Sequence, residues 1–548
     1  MGHHFLLVEG VNLYANIYDT DQLSVIRGSS FLYKDAVTHI QKEFTEYLEP
    51  VSTGASSGLF CLKIASTKAI EGIAEAVTQS LRTHPQFRHL TFLVEHCQAG
   101  DILQAKRQLW AQLHFRQLRA LTLTPDVFEG KHTSRDEPCE LEGIRIAANR
   151  TQRKVQATLD KPKRHLSLSV FQRREYGRQQ KQDYYLNGLS DDLQNRLAEY
   201  RFVPDIETLC ENPAYGNLNG KMAVIYIDGN GFGKRQDSYL QKAIDAKTDG
   251  IAAQQAFDDC IQTWRNQFLE DIITKMLDGK LPDAVTRFSE DEEDGGGNFP
   301  AIRLETLLWG GDEMLFVLPA WLGTSFLQQF FTHTRLWELD DQQQEQFTHA
   351  AGVVFCKAKT PIRIIQNLAR KLAERVKDKY GRDKDGWDYL VLESVDYPTR
   401  DDLDAYFGKR YGMALQQSRP AGHPAAPNWQ VAEASLHRLL GDGMLPIRQL
   451  YRIVDTFNSN EPQGTLDWNG LCDATQESIQ EASLQEQAEF QMLRTLDGAN
   501  RTTVEQELPV MIEQLFALDM DKAEERAWCW LHLLELWDYL IPAKGAKP

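Results

Sequence analysis

Two adjacent carboxylates, Asp312 and Glu313, follow a pair of glycines inside the apolar segment from Leu307 to Val317. Apolar residues run into Gly310 and Gly311, and a second apolar run leaves after the acids, which predicts a β-hairpin with both acids at its tip. Hard divalent cations such as Mg²⁺ prefer oxygen ligands. The hairpin therefore predicts a metal site, although Gly-Gly-Asp also makes an ordinary solvated turn.

A third acid, Asp228, ends a β-branched and aromatic run that begins at Met222. This run predicts a buried strand that delivers the carboxylate at its C-terminal end. A glycine-rich loop follows, formed by Gly229, Asn230, Gly231, Phe232, Gly233 and Lys234. Backbone N–H groups of such a loop can turn toward phosphate oxygens, and the lysine could meet a terminal phosphate. The alternative is a plain strand-to-helix turn that contains glycine.

Further elements downstream are needed to position these acids. Residues 349–356 predict another strand. Pro361 opens a predicted helix with an apolar face, and Lys377 and Lys379 lie in its last turn. The two lysines could neutralise a phosphate group, or they could simply cap a solvated helix end. Residues 387–392 predict one more strand.

The order of these motifs resembles the palm domain of GGDEF-type nucleotidyl cyclases and of the polymerase-like large subunit of type III CRISPR effector complexes. The segment from Phe5 to Tyr18, followed by Ile26-Arg27-Gly28-Ser29, is similar to the first of two palms in the CRISPR subunit. The resemblance implies an α+β fold. Its parts would be two ferredoxin-like palm (nucleotidyl cyclase/polymerase) domains, a mixed linker region and a C-terminal helical bundle.

The chain has 548 residues, which is too long for a single core. Composition shifts divide it into a first palm at 1–130, a basic linker at 131–215, a second palm at 216–400 and a C-terminal helical domain at 401–548. We expect the first palm to be catalytically degenerate. It has a hydroxyl-rich turn at 52–58 instead of adjacent acids, and its first strand presents Glu9 without a glycine-rich loop.

Arginine and lysine residues crowd the linker, although the whole chain carries a net charge of −18. This local excess predicts contact with a nucleotide or nucleic acid, or else a solvated linker face. The resembled subunit often carries a zinc module here, built on paired Cys-x-x-Cys motifs. Only Cys139 remains of that pattern, and all eight cysteines of the chain are scattered without a Cys-x-x-Cys pair, so we predict no structural zinc.

The resemblance implies a metal-dependent nucleotidyltransferase that makes a cyclic or short oligonucleotide second messenger, with ATP as the expected substrate. Asp228, Asp312 and Glu313 would hold two Mg²⁺ or Mn²⁺ ions, and the carbonyl of Ile227 or Gly229 would assist. Glu313 is either a second ligand or the group that accepts the hydroxyl proton. The nucleotide would contact the glycine-rich loop, Lys234, the hairpin glycines Gly310 and Gly311, and Lys377 or Lys379.

The implied partners are other subunits of a type III CRISPR effector complex, with guide RNA and target RNA bound through that complex. The chain contains no His-Asp dipeptide, so we do not expect the nuclease domain that commonly begins the resembled subunit. The sequence shows neither a signal peptide nor a membrane-spanning apolar run, which predicts a cytoplasmic protein. Two alternatives stay open. One is a nucleotide-binding scaffold subunit without turnover, and the other is a stand-alone cyclase of another defence system.

Overall fold

The computed structural model describes residues 2–64, 66–120, 137–147, 165–186, 188–290, 297–337, 339, 346–393, 398, 403–415, 419–420, 422–425, 429–441, 443–458 and 465–542. The fold is α+β, as predicted. No helix in these residues is long and apolar enough to cross a membrane. Residues 291–296, within the acidic, glycine-rich segment 289–298, and residues 148–164, the most basic part of the linker, lie outside the described residues.

The N-terminal part is a four-stranded antiparallel sheet with helices on both faces. Its order is β2-β3-β1-β4, which is the strand order of a ferredoxin-like unit. The central strand β1 alternates its side chains between two cores. The elements are β1 (His3–Gly10), α1 (Leu13–Ile17), α2 (Leu23–Glu43), β2 (Leu48–Thr53), β3 (Ser57–Leu62), α3 (Thr67–Thr83), β4 (Phe92–Ala99) and α4 (Ile102–Gln117).

The described part of the linker is mostly helical and packs tightly on α2. Gly28 of α2 and Gly177 of the linker let the two helix backbones approach, because a Cβ on Gly28 would lie 1.8 Å from the Arg173 carbonyl oxygen. Arg173 is buried and forms an ion pair of 2.7 Å with Asp19. The elements are α5 (Leu168–Gln179), α6 (Lys181–Leu186), α7 (Asp191–Leu197), β5 (Arg201–Phe202), α8 (Ile206–Cys210) and a 3₁₀ turn (Pro213–Leu218).

The second large sheet repeats the order of the first. Strands β9-β10-β6-β11 are antiparallel and correspond to β2-β3-β1-β4, while β12 and β13 extend one edge. Strands β7 and β8 pair with β5 in a separate small sheet. The elements are β6 (Lys221–Gly229), α9 (Phe232–Asp245), α10 (Gly250–Leu277), β7 (Val285–Glu290), β8 (Gly297–Ile302), β9 (Glu305–Trp309), β10 (Glu313–Pro319), a 3₁₀ turn (Ala320–Leu322), α11 (Gly323–Thr334), β11 (His349–Lys357), α12 (Ile362–Lys379), β12 (Gly386–Val391), α13 (Leu403–Leu415) and β13 (His423–Pro424).

The C-terminal part is helical and buries Trp468, Trp528 and Trp530. Trp528 and Trp530 lie in the core, and Arg526 forms a buried ion pair of 3.2 Å with Glu489. The elements are α14 (Trp429–Leu436), a π turn (His437–Gly441), α15 (Ile447–Asp455), a 3₁₀ turn (Thr456–Asn458), α16 (Trp468–Cys472), a 3₁₀ turn (Ser478–Glu481), α17 (Leu484–Thr495), α18 (Gly498–Phe516) and α19 (Ala523–Leu540).

A buried charge cluster joins the two large sheets. Glu305, the first residue of β9, forms ion pairs with Arg27 of α2 at 3.0 Å and with Lys181 of α6 at 2.6 Å. All three side chains are nearly inaccessible to water. The Arg27 guanidinium thus reaches across from the first sheet, but its partner there is a protein carboxylate.

Helix α12 lies directly on the second sheet because β11 carries Gly352 beneath it. A Cβ on Gly352 would lie 1.9 Å from the Ala369 carbonyl oxygen. The helix begins at Ile362. Pro361 is its N-cap and so lies one residue before the first-turn position that the sequence predicts for it. Its apolar face is buried, including Ile365, Leu372 and Val376.

Replacing Gly352 with alanine should push α12 away from the sheet. We expect Gly352→Ala to lower the stability by about 1–3 kcal/mol, the usual cost of overpacking a core. Gly72→Ala is the matched control, because Gly72 is exposed in α3 with open space around it. The control should be neutral or slightly stabilising. Urea midpoints measure both, and an unchanged midpoint for Gly352→Ala would contradict this packing.

Candidate functional site

The antiparallel pairing of β6 and β10 brings the three predicted acids together. Asp228 and Glu313 are direct register partners, so their side chains leave the same face of the sheet. Asp312 is the last residue of the turn, and its carbonyl accepts a hydrogen bond of 3.1 Å from the N–H of Gly229. The hairpin forms as predicted, with Gly310 and Gly311 between β9 and β10.

Burial and the charge of neighbouring acids raise the pKa of Asp312 and of Glu313. Burial raises the pKa of Asp312, and the charge of Asp228 raises it further. Burial also raises the pKa of Glu313, with added repulsion from Asp228 and Asp312, while a hydrogen bond from the Tyr226 hydroxyl and the charge of Arg370 oppose that rise. Such a group of carboxylates gains most from a nearby cation.

Lys377 is the cation that the structure places among these acids. Its ammonium lies 2.6 Å from the Asp228 carboxylate and donates a hydrogen bond of 2.8 Å to the carbonyl of Gly229. Lys379 turns elsewhere and forms an ion pair with Asp404. The helix phase thus separates the two lysines that the sequence left as equal candidates.

The glycine-rich loop divides into site-facing and core-facing residues. Gly231 has a φ of +70° and caps α9, a left-handed conformation that glycine adopts without strain. Gly233 and Lys234 are exposed in the first turn of that helix. Phe232 is buried and packs on Phe347 at a ring distance of 4.7 Å.

Asn230 does not face the acids. Its side-chain amide is buried and donates hydrogen bonds to the Thr348 hydroxyl and the Lys384 carbonyl, both at 3.2 Å. It fastens the end of β6 to the beginning of β11. Ile227 likewise directs its side chain into the opposite core, so only its main chain is available on the side of the acids.

A cleft of about 780 Å³ opens beside Asp312, between the two large sheets. One wall belongs to α2 and the β2–β3 turn, and the other to α9 and α10. Gly311 also lines the cleft, and a Cβ there would meet open space. A side chain would fit at Gly311 in this structure, so the packing of the protein around the turn does not require glycine there.

The donors suit a hard cation, although they are not arranged around one. Among the described residues, no group of three or more His, Cys, Asp or Glu side chains is already positioned to hold a metal ion. The Lys377 ammonium instead bridges the Asp228 carboxylate and the Gly229 carbonyl. A positive group therefore already lies between two of the oxygen ligands predicted for the metal. The carboxylate and carbonyl chemistry of the site fits Mg²⁺ or Mn²⁺.

The first sheet carries the same backbone frame at the matching place. The Gly54 N–H donates to the Ser57 carbonyl at 2.7 Å, as the Gly310 N–H donates to the Glu313 carbonyl at 2.9 Å. The Gly10 N–H donates to the Ser56 carbonyl at 2.7 Å, which matches the bond from Gly229 to Asp312.

The matched hydrogen bonds identify which residues replace the acids in the first sheet. Ser56 and Ser57 take the places of Asp312 and Glu313, and Glu9, the register partner of Ser57, takes the place of Asp228. Burial raises the pKa of Glu9 to about 7, and a hydrogen bond with Ser57 opposes the rise. This half keeps one carboxyl group with a raised pKa and two hydroxyl groups, a poor set for a hard cation.

Four residues near the acids were missed by sequence reasoning. Tyr226 and Arg370 could have been found, because they lie two residues before Asp228 on the strand and seven before Lys377 on the helix, which puts each on the same face. Tyr18 follows α1, and burial and then the Glu313 charge raise its pKa. Tyr18 and Arg265 of α10 come from distant parts of the chain. No local pattern points to them.

The raised pKa of Glu9 predicts a pH-dependent loss of stability. The native state holds the proton more tightly than the unfolded chain, so this group destabilises the fold as pH rises from about 4.5 to about 7. Glu9→Gln should match the wild type at pH 4 and exceed its stability at pH 8, by at most about 3 kcal/mol. Urea unfolding at both pH values tests this, and equal stability at pH 8 would refute it.

The contacts of the two lysines predict unequal roles in nucleotide binding. Lys377→Met should weaken binding of Mg-ATP about tenfold or more, because it removes the ammonium expected to neutralise the phosphate groups. Lys379→Met should change binding less than twofold, because its charge is directed to Asp404. Calorimetric titration measures both, and a larger effect at Lys379 would contradict the observed helix phase.

No family model and no curated protein matches the chain. Several solved structures do. Csm1 of T. onnurineus is 12% identical with a TM-score of 0.45, and the match covers 84% of this chain and 62% of that one. A chain of the type III-B Cmr-beta complex bound to cognate target RNA is 9% identical with a TM-score of 0.45, covering 84% and 77%. A chain of a Csm1-Csm4 cassette in complex with one ATP is 12% identical with a TM-score of 0.42, and the match covers 83% of this chain and 63% of that one.

The chain spans somewhat less than two thirds of the length of these Csm1 chains. The structures that the chain resembles thus include Csm1 and a chain of a type III-B Cmr-beta complex.

Proposed function

We propose that the chain is a metal-dependent nucleotidyltransferase that joins nucleoside triphosphates, with ATP as substrate, into a cyclic or short oligonucleotide. The observation that supports this most is the register pairing of Asp228 with Glu313 next to Asp312. Two carboxylates on paired strands and a third at the end of the turn, beside a cleft lined by glycine, form the donor set that phosphoryl transfer to a hydroxyl needs.

The reaction joins a 3′-oxygen to an α-phosphorus while pyrophosphate leaves. Two divalent ions, when bound, would supply charge stabilisation at the attacking and leaving oxygens. Asp228 and Asp312 would hold them. The Gly229 carbonyl would assist once Lys377 no longer donates a hydrogen bond to it. The freed Lys377 ammonium would then face the triphosphate, together with the exposed Lys234.

Glu313 is suited to accept the proton of the attacking hydroxyl. Its carboxylate has a raised pKa and shares a hydrogen bond with the Tyr226 hydroxyl, which fixes its orientation. Gly311 and Gly233 would allow the nucleotide to approach the backbone closely. Arg370, half-exposed on α12, would add positive charge near Glu313.

The partners follow from the motif resemblance. We propose that the chain acts as the large subunit of a type III CRISPR-like complex, which would hold guide RNA and target RNA and switch on the reaction. The acidic net charge of −18 argues that RNA contact depends on other subunits or on the basic linker.

One observation favours the scaffold alternative. The Asp228 carboxylate is already neutralised by Lys377, so the fold is satisfied without a metal ion. In that case the cleft would bind a nucleotide and hold it without turnover.

Incubation with labelled ATP and Mg²⁺ or Mn²⁺, with and without RNA-bound partner subunits, distinguishes the nucleotidyltransferase from the scaffold without turnover. Wild type should form a phosphodiester product, and Asp312→Ala and Asp228→Ala should lose about a hundredfold or more, the scale of a missing electrostatic group in an active site. Asp245→Ala, an exposed acid of α9, should retain activity. Product that persists in Asp312→Ala would overturn the site, and nucleotide binding without product in every condition would favour the scaffold.

A further inference from the structure

Arg265 of α10 holds the turn that carries the acids. Its Nη1 atom donates hydrogen bonds to the carbonyls of Gly310 at 2.5 Å and Gly311 at 3.1 Å. The guanidinium also lies over the Trp309 ring, 5.2 Å from the centroid. One side chain therefore contacts three consecutive residues immediately before Asp312.

The two glycines make this contact important. Successive glycines give a turn the widest choice of backbone conformations, so the direction of the following acids is poorly fixed by the turn itself. Hydrogen bonds to both carbonyls restrict that choice. The positive charge of Arg265 also opposes the rise in the pKa of Asp312.

The same helix also contacts strand β2, which leads into the matching turn of the first sheet. Gln255 donates a hydrogen bond of 2.7 Å to the Pro50 carbonyl, and Asp258 shares a hydrogen bond with Ser52. Gln255, Asp258 and Arg265 recur at helical spacing and line the cleft. The tips of the two turns meet, since a Cβ on Gly310 would lie 4.0 Å from the Ala55 Cβ.

We infer that Arg265 is a positioning residue, which fixes Asp312 for metal binding, and Glu313 beside it, by bonding the Gly310 and Gly311 carbonyls from a helix anchored on the first sheet. This role rests on the proposed function. It also has a structural consequence that does not need turnover, because the hairpin should loosen when the guanidinium is removed.

Hydrogen exchange of the hairpin amides tests the structural part. In Arg265→Ala, exchange over residues 305–317 should accelerate about tenfold or more, while the rest of α10 and β6 keep wild-type rates. Arg265→Lys should recover part of the protection, because an ammonium can still donate to a carbonyl. Arg196→Ala is the control, since Arg196 is a half-exposed arginine paired with Asp278 away from the cleft.

Mn²⁺ binding, followed by the paramagnetic signal of the free ion, tests the link to the acids. Arg265→Ala should bind Mn²⁺ about fivefold to tenfold more weakly than the wild type, Arg265→Lys should be intermediate, and Asp312→Ala should lose the site.

Wild-type exchange and Mn²⁺ affinity in Arg265→Ala would overturn the inference. So would faster exchange throughout α10 and β6, or equal loss in the alanine and lysine variants, because either would mark a merely structural arginine. If the wild type binds Mn²⁺ but forms no product under any condition, the proposed function fails. The exchange and Mn²⁺ data still decide the role of Arg265.

Discussion

The position of every acid at the site depends on the register of one strand. Strand β6 is hydrogen-bonded on both sides, to β10 and to β11, so Asp228 cannot move along the sheet without breaking two ladders. A slip of one residue would turn Asp228 into the apolar core and expose Ile227 among the acids. The buried residues from Met222 to Ile227 make such a slip costly, because each side chain would leave the core in which it packs and enter the core on the other face of the sheet.

The two sheets show what burying carboxylates requires. In the first sheet a single carboxyl, Glu9, is buried with a hydroxyl partner, and its raised pKa reports the unfavourable desolvation. The second sheet gathers three carboxylates in the same backbone frame and adds Lys377 as a direct counter-ion, with Arg265 and Arg370 nearby. The three carboxylates of the second sheet are thus buried together with cations that offset their charge, whereas the first sheet has only one of the three carboxylates.

Local patterns predicted what local physics decides. The hairpin and the strand that ends in Asp228 follow from apolar periodicity and turn chemistry, the α+β class follows from the motif resemblance, and the structure has all three. The choice between Lys377 and Lys379 depends on how α12 packs over Gly352, which no single segment encodes. Asn230 and Phe232 belong to a loop that favours nucleotide contact by composition, yet tertiary packing directs Asn230 to Thr348 and Phe232 into the core. The four-part division of the chain and the catalytic roles stay predictions.

The cluster of Arg27, Glu305 and Lys181 limits how the molecule can be dissected. A fragment that begins at residue 216 would keep Glu305 but lose both cations, which come from α2 and α6. A buried carboxylate left without its partners costs several kcal/mol, and it stands at the head of the strand that leads into the Gly-Gly turn. The half of the chain that bears the acids therefore depends on the other half for its folding.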